Sequence, residues 1–100
     1  MYKVKLIARL RSDDLSVAGY AHELDLPFVP VVGMKFKQGT STWLWETANG
    51  ELAPKIEEVV YDLDEDLFAC LFTVDQVLRS SFWKEFGSET MEAGYFRLRG

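Results

Sequence analysis

The sequence predicts a single mainly β domain (α+β) over residues 1–100, built as a small antiparallel barrel or strongly curved sheet of six to seven strands. Short runs of alternating or β-branched residues, separated by frequent turn residues, favour strands along most of the chain. Helical periodicity occurs near residues 74–86, and an apolar segment with two prolines at residues 26–36 excludes a helix there. One helix packed on the sheet is therefore expected.

The first strand is predicted at residues 2–10, where apolar and polar side chains alternate. Its polar face continues to Arg11 and includes the basic residues Lys3, Lys5, Arg9 and Arg11. This pattern predicts a half-buried antiparallel strand with a wet basic face. Residues 16–26 are ambiguous between a strand and a helix, but small residues and Gly19 weaken a helix there. The segment is therefore interpreted as the second strand, with a candidate bulge at Gly19.

The segment LPFVPVVGMKF at residues 26–36 is almost entirely apolar. Pro27 and Pro30 fix φ and push the residues before them towards extended geometry. The segment is therefore expected to be a buried, extended entry into a third strand at residues 31–37, with Gly33 supplying a bend.

Residues 40–47 (TSTWLWET) predict a fourth strand with Trp43 and Trp45 on one face, and NG at residues 49–50 predicts a tight turn. A hairpin of residues 55–61 and 67–72 should follow, turning at the acidic tip. Its expected cross-strand pairs are Tyr61 with Phe68, Val59 with Cys70 and Glu57 with Phe72.

The helix is predicted at residues 74–86 because TVDQ at residues 73–76 matches a capping box. Apolar side chains then recur every fourth residue, at Val74, Leu78, Phe82 and Phe86, and Gly87 suits the C-terminal cap. Residues 88–93 are expected to form a loop and residues 95–99 a final strand. Pairing of the first and last strands would close the barrel.

The chain has a leading strand, then LPFVPVVGM, a variable middle, and IEEVVYD with a second hairpin strand. This order resembles that of small uncharacterised bacterial β-barrel proteins with an LPFVPxVGM-type segment. Those proteins are similar to SH3-like barrels in size and strand number. The resemblance covers residues 20–72 and implies a fold but no activity.

Composition restricts the classes of function. A net charge of −5 argues against nucleic acid as a partner, and no apolar run is long enough to span a membrane. The single cysteine, Cys70, forms no internal disulfide, and the N-terminus lacks the pattern of a secretory signal. A cytoplasmic protein is expected.

No catalytic, cofactor-binding or metal-binding residue is predicted, and an enzyme is not expected. Asp62, Asp64 and Asp66 match the first positions of a calcium loop, but Leu67 and Thr73 occupy the positions that need glycine and glutamate. His22 and Cys70 are single residues of their types, too few for a structural zinc site.

A non-enzymatic interaction domain that binds another protein or a second copy is therefore the main prediction. Its candidate interface residues are Trp43, Trp45, Trp83, Lys3, Lys5, Arg9 and Arg11. The alternative is an immunity-like or antitoxin-like inhibitor whose acidic hairpin at residues 57–66 blocks a basic partner. Its candidate residues are Asp62, Asp64, Glu65 and Asp66. Binding of single-stranded nucleic acid through Trp43, Trp45 and Tyr95 ranks third.

Overall fold

The computed structural model describes residues 1–11, 17–37, 45, 54–78 and 81–97. Within these ranges the strands and the helix are, in chain order, β1 (Tyr2–Leu10), β2 (Gly19–Leu26), β3 (Glu58–Asp62), β4 (Leu67–Val74), β5 (Lys84–Phe86) and α1 (Met91–Arg97). The prediction of a mainly β fold is confirmed, and the described residues contain one helix, although not at the predicted position.

The strands form one mixed sheet in the order β3-β4-β1-β2-β5. β1 is antiparallel to β2 and parallel to β4, and β3 and β5 lie at the two edges. The described strands number five, and their sheet does not close into a barrel. The expected closing strand at residues 95–99 does not form in its described part, since residues 95–97 belong to α1. The neighbours of β1 in the sheet are β2 and β4.

Both faces of the sheet are covered. One face carries the larger cluster, which we call the first core and which includes Val4, Leu6, Trp45, Cys70, Phe72 and Trp83. The other face carries the second core, which includes Ile7, Ala21, Ala69, Leu71, Phe86 and Tyr95 of α1. The central strands β1 and β4 therefore bury side chains on both faces, as strands in parallel pairs usually do.

For this reason the prediction that the basic face of β1 is exposed to water is wrong. Lys5 is only 7% exposed and Ile7 is fully buried, because α1 and its neighbours pack over this face. The prediction of a strand for β2 is confirmed, and the helix left open for residues 16–26 does not form in the described part.

The predicted helix does not form in the described part of its range, residues 74–78 and 81–86. β4 continues to Val74, which pairs with Leu10, and β5 occupies residues 84–86. The Thr73 hydroxyl donates a hydrogen bond to the Glu57 carboxylate (2.9 Å) across the hairpin. Leu78 packs in the first core and Phe86 in the second, and a single helical stripe could not reach both.

The helix forms later, at α1, where a loop and a final strand were expected. The Thr90 hydroxyl donates to the Gly87 carbonyl (2.8 Å) just before it. Glu92 in its first turn and Arg97 in its last turn suit the helix dipole. The alternation after Tyr95 suggested a strand, but Ala93 and Phe96 pack with Tyr95 against the second core, which a helical turn permits and a strand does not.

The predicted hairpin is confirmed as β3 and β4, including the pairs Tyr61 with Phe68 and Val59 with Cys70. The third strand expected at residues 31–37 is reduced to an isolated bridge between Lys35 and Lys55. The strand expected at residues 40–47 lies outside the described residues, apart from Trp45.

Candidate functional site

The predicted tryptophan interface lies largely in the first core. Trp45 is 1% exposed, and its indole Nε1 donates a hydrogen bond to the Phe36 carbonyl (2.8 Å). Its ring lies 4.9 Å from the Phe72 ring and 5.0 Å from the Trp83 ring, measured between centroids. Trp83 is 8% exposed, so both rings offer almost no surface to a partner. Trp43 lies outside the described residues.

The basic side chains of β1 share one face, but α1 covers its middle. The Lys5 ammonium is 3.0 Å from a Glu92 carboxylate oxygen, and both side chains are largely buried. The Arg9 guanidinium lies over the Phe96 ring, 5.1 Å from its centroid, which is a cation–π contact. Lys5 and Arg9 therefore hold α1 on the sheet.

The ends of the basic face are exposed. Lys3 is exposed, and Arg11 pairs with Asp75 (3.4 Å) in a contact open to water. Tyr95, on the inner side of α1, is buried against the sheet, and Trp45 is buried in the first core. Neither ring is therefore exposed enough to stack on a base.

Asp62 organises the acidic tip between β3 and β4. Its Oδ1 accepts hydrogen bonds from the backbone amides of Asp64 (2.9 Å) and Glu65 (3.0 Å). Its Oδ2 accepts a hydrogen bond from the Tyr95 hydroxyl (2.5 Å). These hydrogen bonds, that of Tyr95 above all, hold the pKa of the Asp62 carboxyl below its ordinary value. Asp62 therefore joins the tip to α1 and has a structural role.

The other three acidic residues of the tip face water. Asp64, Glu65 and Asp66 are exposed. Asp66 has a φ of 55°, in the left-handed region that aspartate and asparagine tolerate better than most residues. Its amide donates to the Asp62 carbonyl (2.8 Å), and its carboxylate accepts a hydrogen bond from the Tyr61 hydroxyl. The turn thus directs the Asp66 carboxylate to the hydroxyl group of Tyr61 on β3.

Three aromatic rings line a hollow beside this carboxylate. The Tyr61 and Phe68 rings are 4.8 Å apart, and the Tyr2 and Phe68 rings are 6.0 Å apart, between centroids. Met1, Lys3 and Asp66 complete the lining of this hollow, whose volume is about 590 Å³. We call it the aromatic hollow. It combines two exposed tyrosine side chains with a carboxylate, a combination that suits a cation.

The segment at residues 26–36 is not the buried strand entry that its apolar sequence predicted. Phe28, Val29, Val31 and Val32 are exposed, Val32 by 63%. Pro30, Met34 and Phe36 face inwards and account for the buried and half-buried part. The inward side chains anchor the segment, and the outward ones form an apolar surface.

This surface belongs to one end of the sheet. Tyr2 pairs with Leu26, so the segment leaves the sheet beside Tyr2, and the tip with Leu63 (84% exposed) lies at the same end. Apart from Val77 and Met91, all large exposed apolar side chains in the described ranges lie at this end or on the segment that leaves it. We call them the apolar end: Met1, Tyr2, Phe28, Val29, Val31, Val32, Tyr61 and Leu63.

A second hollow, of about 390 Å³, lies beside β2 and is lined by Lys5, His22, Ser81, Trp83, Lys84 and Glu92 among others. The His22 Nδ1 donates a hydrogen bond to the Phe82 carbonyl (2.9 Å), and the two rings stack with centroids 3.5 Å apart. The charged groups that line this hollow are mixed in sign, and the Lys5 ammonium and the Glu92 carboxylate already form a salt bridge with each other. This hollow is therefore a weaker candidate site than the apolar end.

Cys70 is a free cysteine that lies buried in the first core. Burial raises the pKa of the Cys70 thiol to about 12, so it is not a thiolate near neutral pH. Within the described ranges, no group of three histidine, cysteine, aspartate or glutamate side chains could hold a metal ion.

Comparisons with protein-family models, with curated proteins and with solved structures found no match to this chain. The resemblance to SH3-like bacterial barrels therefore stays a prediction. Over the part of the chain that the structure describes, no helix has the length and hydropathy needed to cross a membrane.

Proposed function

We propose that this chain is a non-enzymatic interaction domain that binds another protein through its apolar end. The observation that supports this most strongly is the outward display of Phe28, Val29, Val31 and Val32. Folded proteins rarely expose large apolar patches without a partner or ligand that covers them. A surface of this kind gains free energy when a complementary apolar surface removes it from water.

The exposed segment is also held in shape before binding. The Gly33 amide donates to the Ile56 carbonyl (2.9 Å), and the Ile56 amide donates to the Met34 carbonyl (2.9 Å). Pro27 and Pro30 fix φ at their positions. A surface that is already ordered loses less conformational entropy on binding, which favours a recognition role over that of a loose loop.

The charges around the apolar end favour a basic partner. Asp64, Glu65 and Asp66 are exposed at the tip, next to Leu63, and outnumber the exposed Lys3 at the same end. A second copy that used the same surface would bring its own carboxylates to the interface, and like charges there disfavour association. We therefore assign the apolar end to a different protein that presents an apolar surface flanked by lysine or arginine.

Photo-crosslinking from position 32 tests this function. Val32 is replaced by a photoreactive phenylalanine derivative in cells that naturally express the chain, and Glu89, exposed before α1, is replaced in the same way as the matched control. We expect a discrete covalent adduct from position 32 and none from position 89. The adduct partner is then purified, and its affinity for the chain is measured by calorimetry.

The purified partner should bind the unmodified chain, and Val32→Asp should weaken that binding at least ten-fold because a charge replaces an exposed apolar contact. An adduct with the mass of two copies of the chain would contradict a different protein as partner. Equal adducts from both positions, or an unaltered affinity of the Val32→Asp variant, would contradict the apolar end as the binding surface.

The inhibitor hypothesis is a narrower second candidate, supported by the exposure of Asp64 and Glu65 at the tip. Asp62 must be spared in its test because it holds the turn. If the partner is a nuclease, Asp64→Asn with Glu65→Gln should reduce its inhibition at least ten-fold while the melting temperature of the chain stays constant. Unchanged inhibition by this double variant would exclude an inhibitor that acts through the tip.

A further inference from the structure

The aromatic hollow has the geometry of a three-sided box. Phe68 lies on β4, and β3 with Tyr61 and β1 with Tyr2 flank β4 on its two sides. The Tyr61 ring is inclined by 61° to the Phe68 ring, and the Tyr2 ring by 75°. Both tyrosine rings thus meet the Phe68 ring in edge-to-face contacts, one from each neighbouring strand.

This arrangement suits a cation better than a neutral group. The face of an aromatic ring carries partial negative charge and attracts a cation within about 6 Å of its centroid. The Asp66 carboxylate adds a full negative charge at the rim of the hollow. Its hydrogen bond with Tyr61 raises the pKa of the phenol, so the wall remains a neutral tyrosine at physiological pH.

The lining includes two residues that carry cationic groups, Met1 with the N-terminal ammonium and Lys3. Lys3 contributes to the lining, but it alternates with Tyr2 along β1, and its side chain therefore starts towards the opposite face of the sheet. The hollow is open to solvent at the apolar end, where a bound protein would lie.

We propose that the aromatic hollow binds the cationic end of a lysine or arginine side chain that the partner presents. This inference rests on the proposed function, since it gives the partner's basic residue a defined position. Phe68, Tyr61 and Tyr2 would surround the cation, and Asp66 would neutralise it.

Nuclear magnetic resonance can test the hollow without knowledge of the partner. The ring protons of Tyr2, Tyr61 and Phe68 are followed while Nα-acetyl-arginine amide, Nα-acetyl-lysine amide and the neutral Nα-acetyl-norleucine amide are added in turn. We expect the two cations to shift these resonances and to bind at least ten-fold more tightly than the norleucine compound. Choline serves as a fourth probe, because a free quaternary ammonium compound shares the same chemistry.

Two variants separate the contributions to binding. Asp66→Asn keeps a residue that tolerates a positive φ and removes the charge, and Tyr61→Leu removes a wall. Each should weaken cation binding several-fold. Val77→Thr should leave it unchanged, because Val77 is exposed beyond the C-terminal end of β4, whereas the hollow lies at the N-terminal end of that strand. A melting temperature for each variant confirms that it is folded.

Equal shifts with the norleucine compound, or no ring shifts with either amino-acid cation, would overturn the cation site. Neither result would affect a crosslink from position 32, so the two proposals fail separately. Choline that binds ten-fold more tightly than the lysine compound would instead assign the hollow to a free organic cation and overturn the side-chain assignment.

Discussion

Replacing Gly19 with alanine is expected to lower the free energy of unfolding by about 3 kcal/mol, the upper part of the range for an over-packed core. A Cβ atom at this position would lie 2.3 Å from the Ala8 carbonyl oxygen and 2.7 Å from the Phe86 ring. The first of these atoms belongs to the backbone of β1 and cannot move aside without disturbing the sheet. Urea denaturation followed by circular dichroism measures the effect.

Gly94→Ala is the matched control, because a Cβ atom there meets nothing within 4 Å. Since Gly94 lies within α1, alanine should raise the stability by up to about 1 kcal/mol. A Gly19→Ala variant as stable as the original chain would contradict the packing of Phe86 against β2, and with it the position of β5.

Replacing Glu92 with glutamine is expected to destabilise the chain by about 2 kcal/mol. The substitution keeps the shape of the side chain but leaves the largely buried Lys5 ammonium without its carboxylate partner. The value lies below the range for fully buried pairs because the Glu92 side chain retains some contact with water. Thermal and urea unfolding at neutral pH measure the change.

The double variant Lys5→Met, Glu92→Gln should recover much of this loss, since it removes the unpaired charge as well. Glu89→Gln, at an exposed glutamate nearby in sequence, serves as the control and should change little. A Glu92→Gln variant no less stable than the Glu89→Gln variant would contradict the pairing that holds α1 on the sheet.

The same pair gives a pH dependence. Burial alone would raise the pKa of Glu92, but the hydrogen bond and charge of Lys5, together with hydrogen bonds from the Glu92 amide and the Thr90 side chain, outweigh it and lower the pKa. Because the pKa of Glu92 is lower in the folded chain, its ionised carboxylate adds stability at pH values above the pKa of glutamate in the unfolded chain, about 4.3. This stability is lost as the pH falls through the pKa of Glu92 in the folded chain. The stability of the original chain should therefore decline below about pH 5, and more steeply than that of the Glu92→Gln variant.

Local patterns predicted the hairpin well. Its two strands are close in sequence, and a turn placed at Asp64 and Glu65 gives the pairing of Tyr61 with Phe68 that the structure shows. The helix at residues 74–86 failed for a nonlocal reason, because the Thr73 hydroxyl bonds across the hairpin and Val74 pairs with Leu10. Pairing with distant strands overrode the helical pattern of this segment.

The candidate site was harder to predict because it combines distant segments. Tyr2 joins Tyr61 and Phe68 only because β1 and β4 pair in parallel, and no local pattern specifies that pairing. The apolar residues at 28–32 looked like core, since sequence alone does not distinguish an apolar side chain that is buried in the chain from one that is displayed to a partner.

Mapping the purified partner onto the chain by amide chemical shifts tests the binding role of the apolar end most directly. We predict that the partner perturbs the amides of residues 26–33 and 61–68 and leaves those of β5 and α1 unchanged. Perturbations centred on residues 84–97, with the apolar end unaffected, would contradict this binding surface.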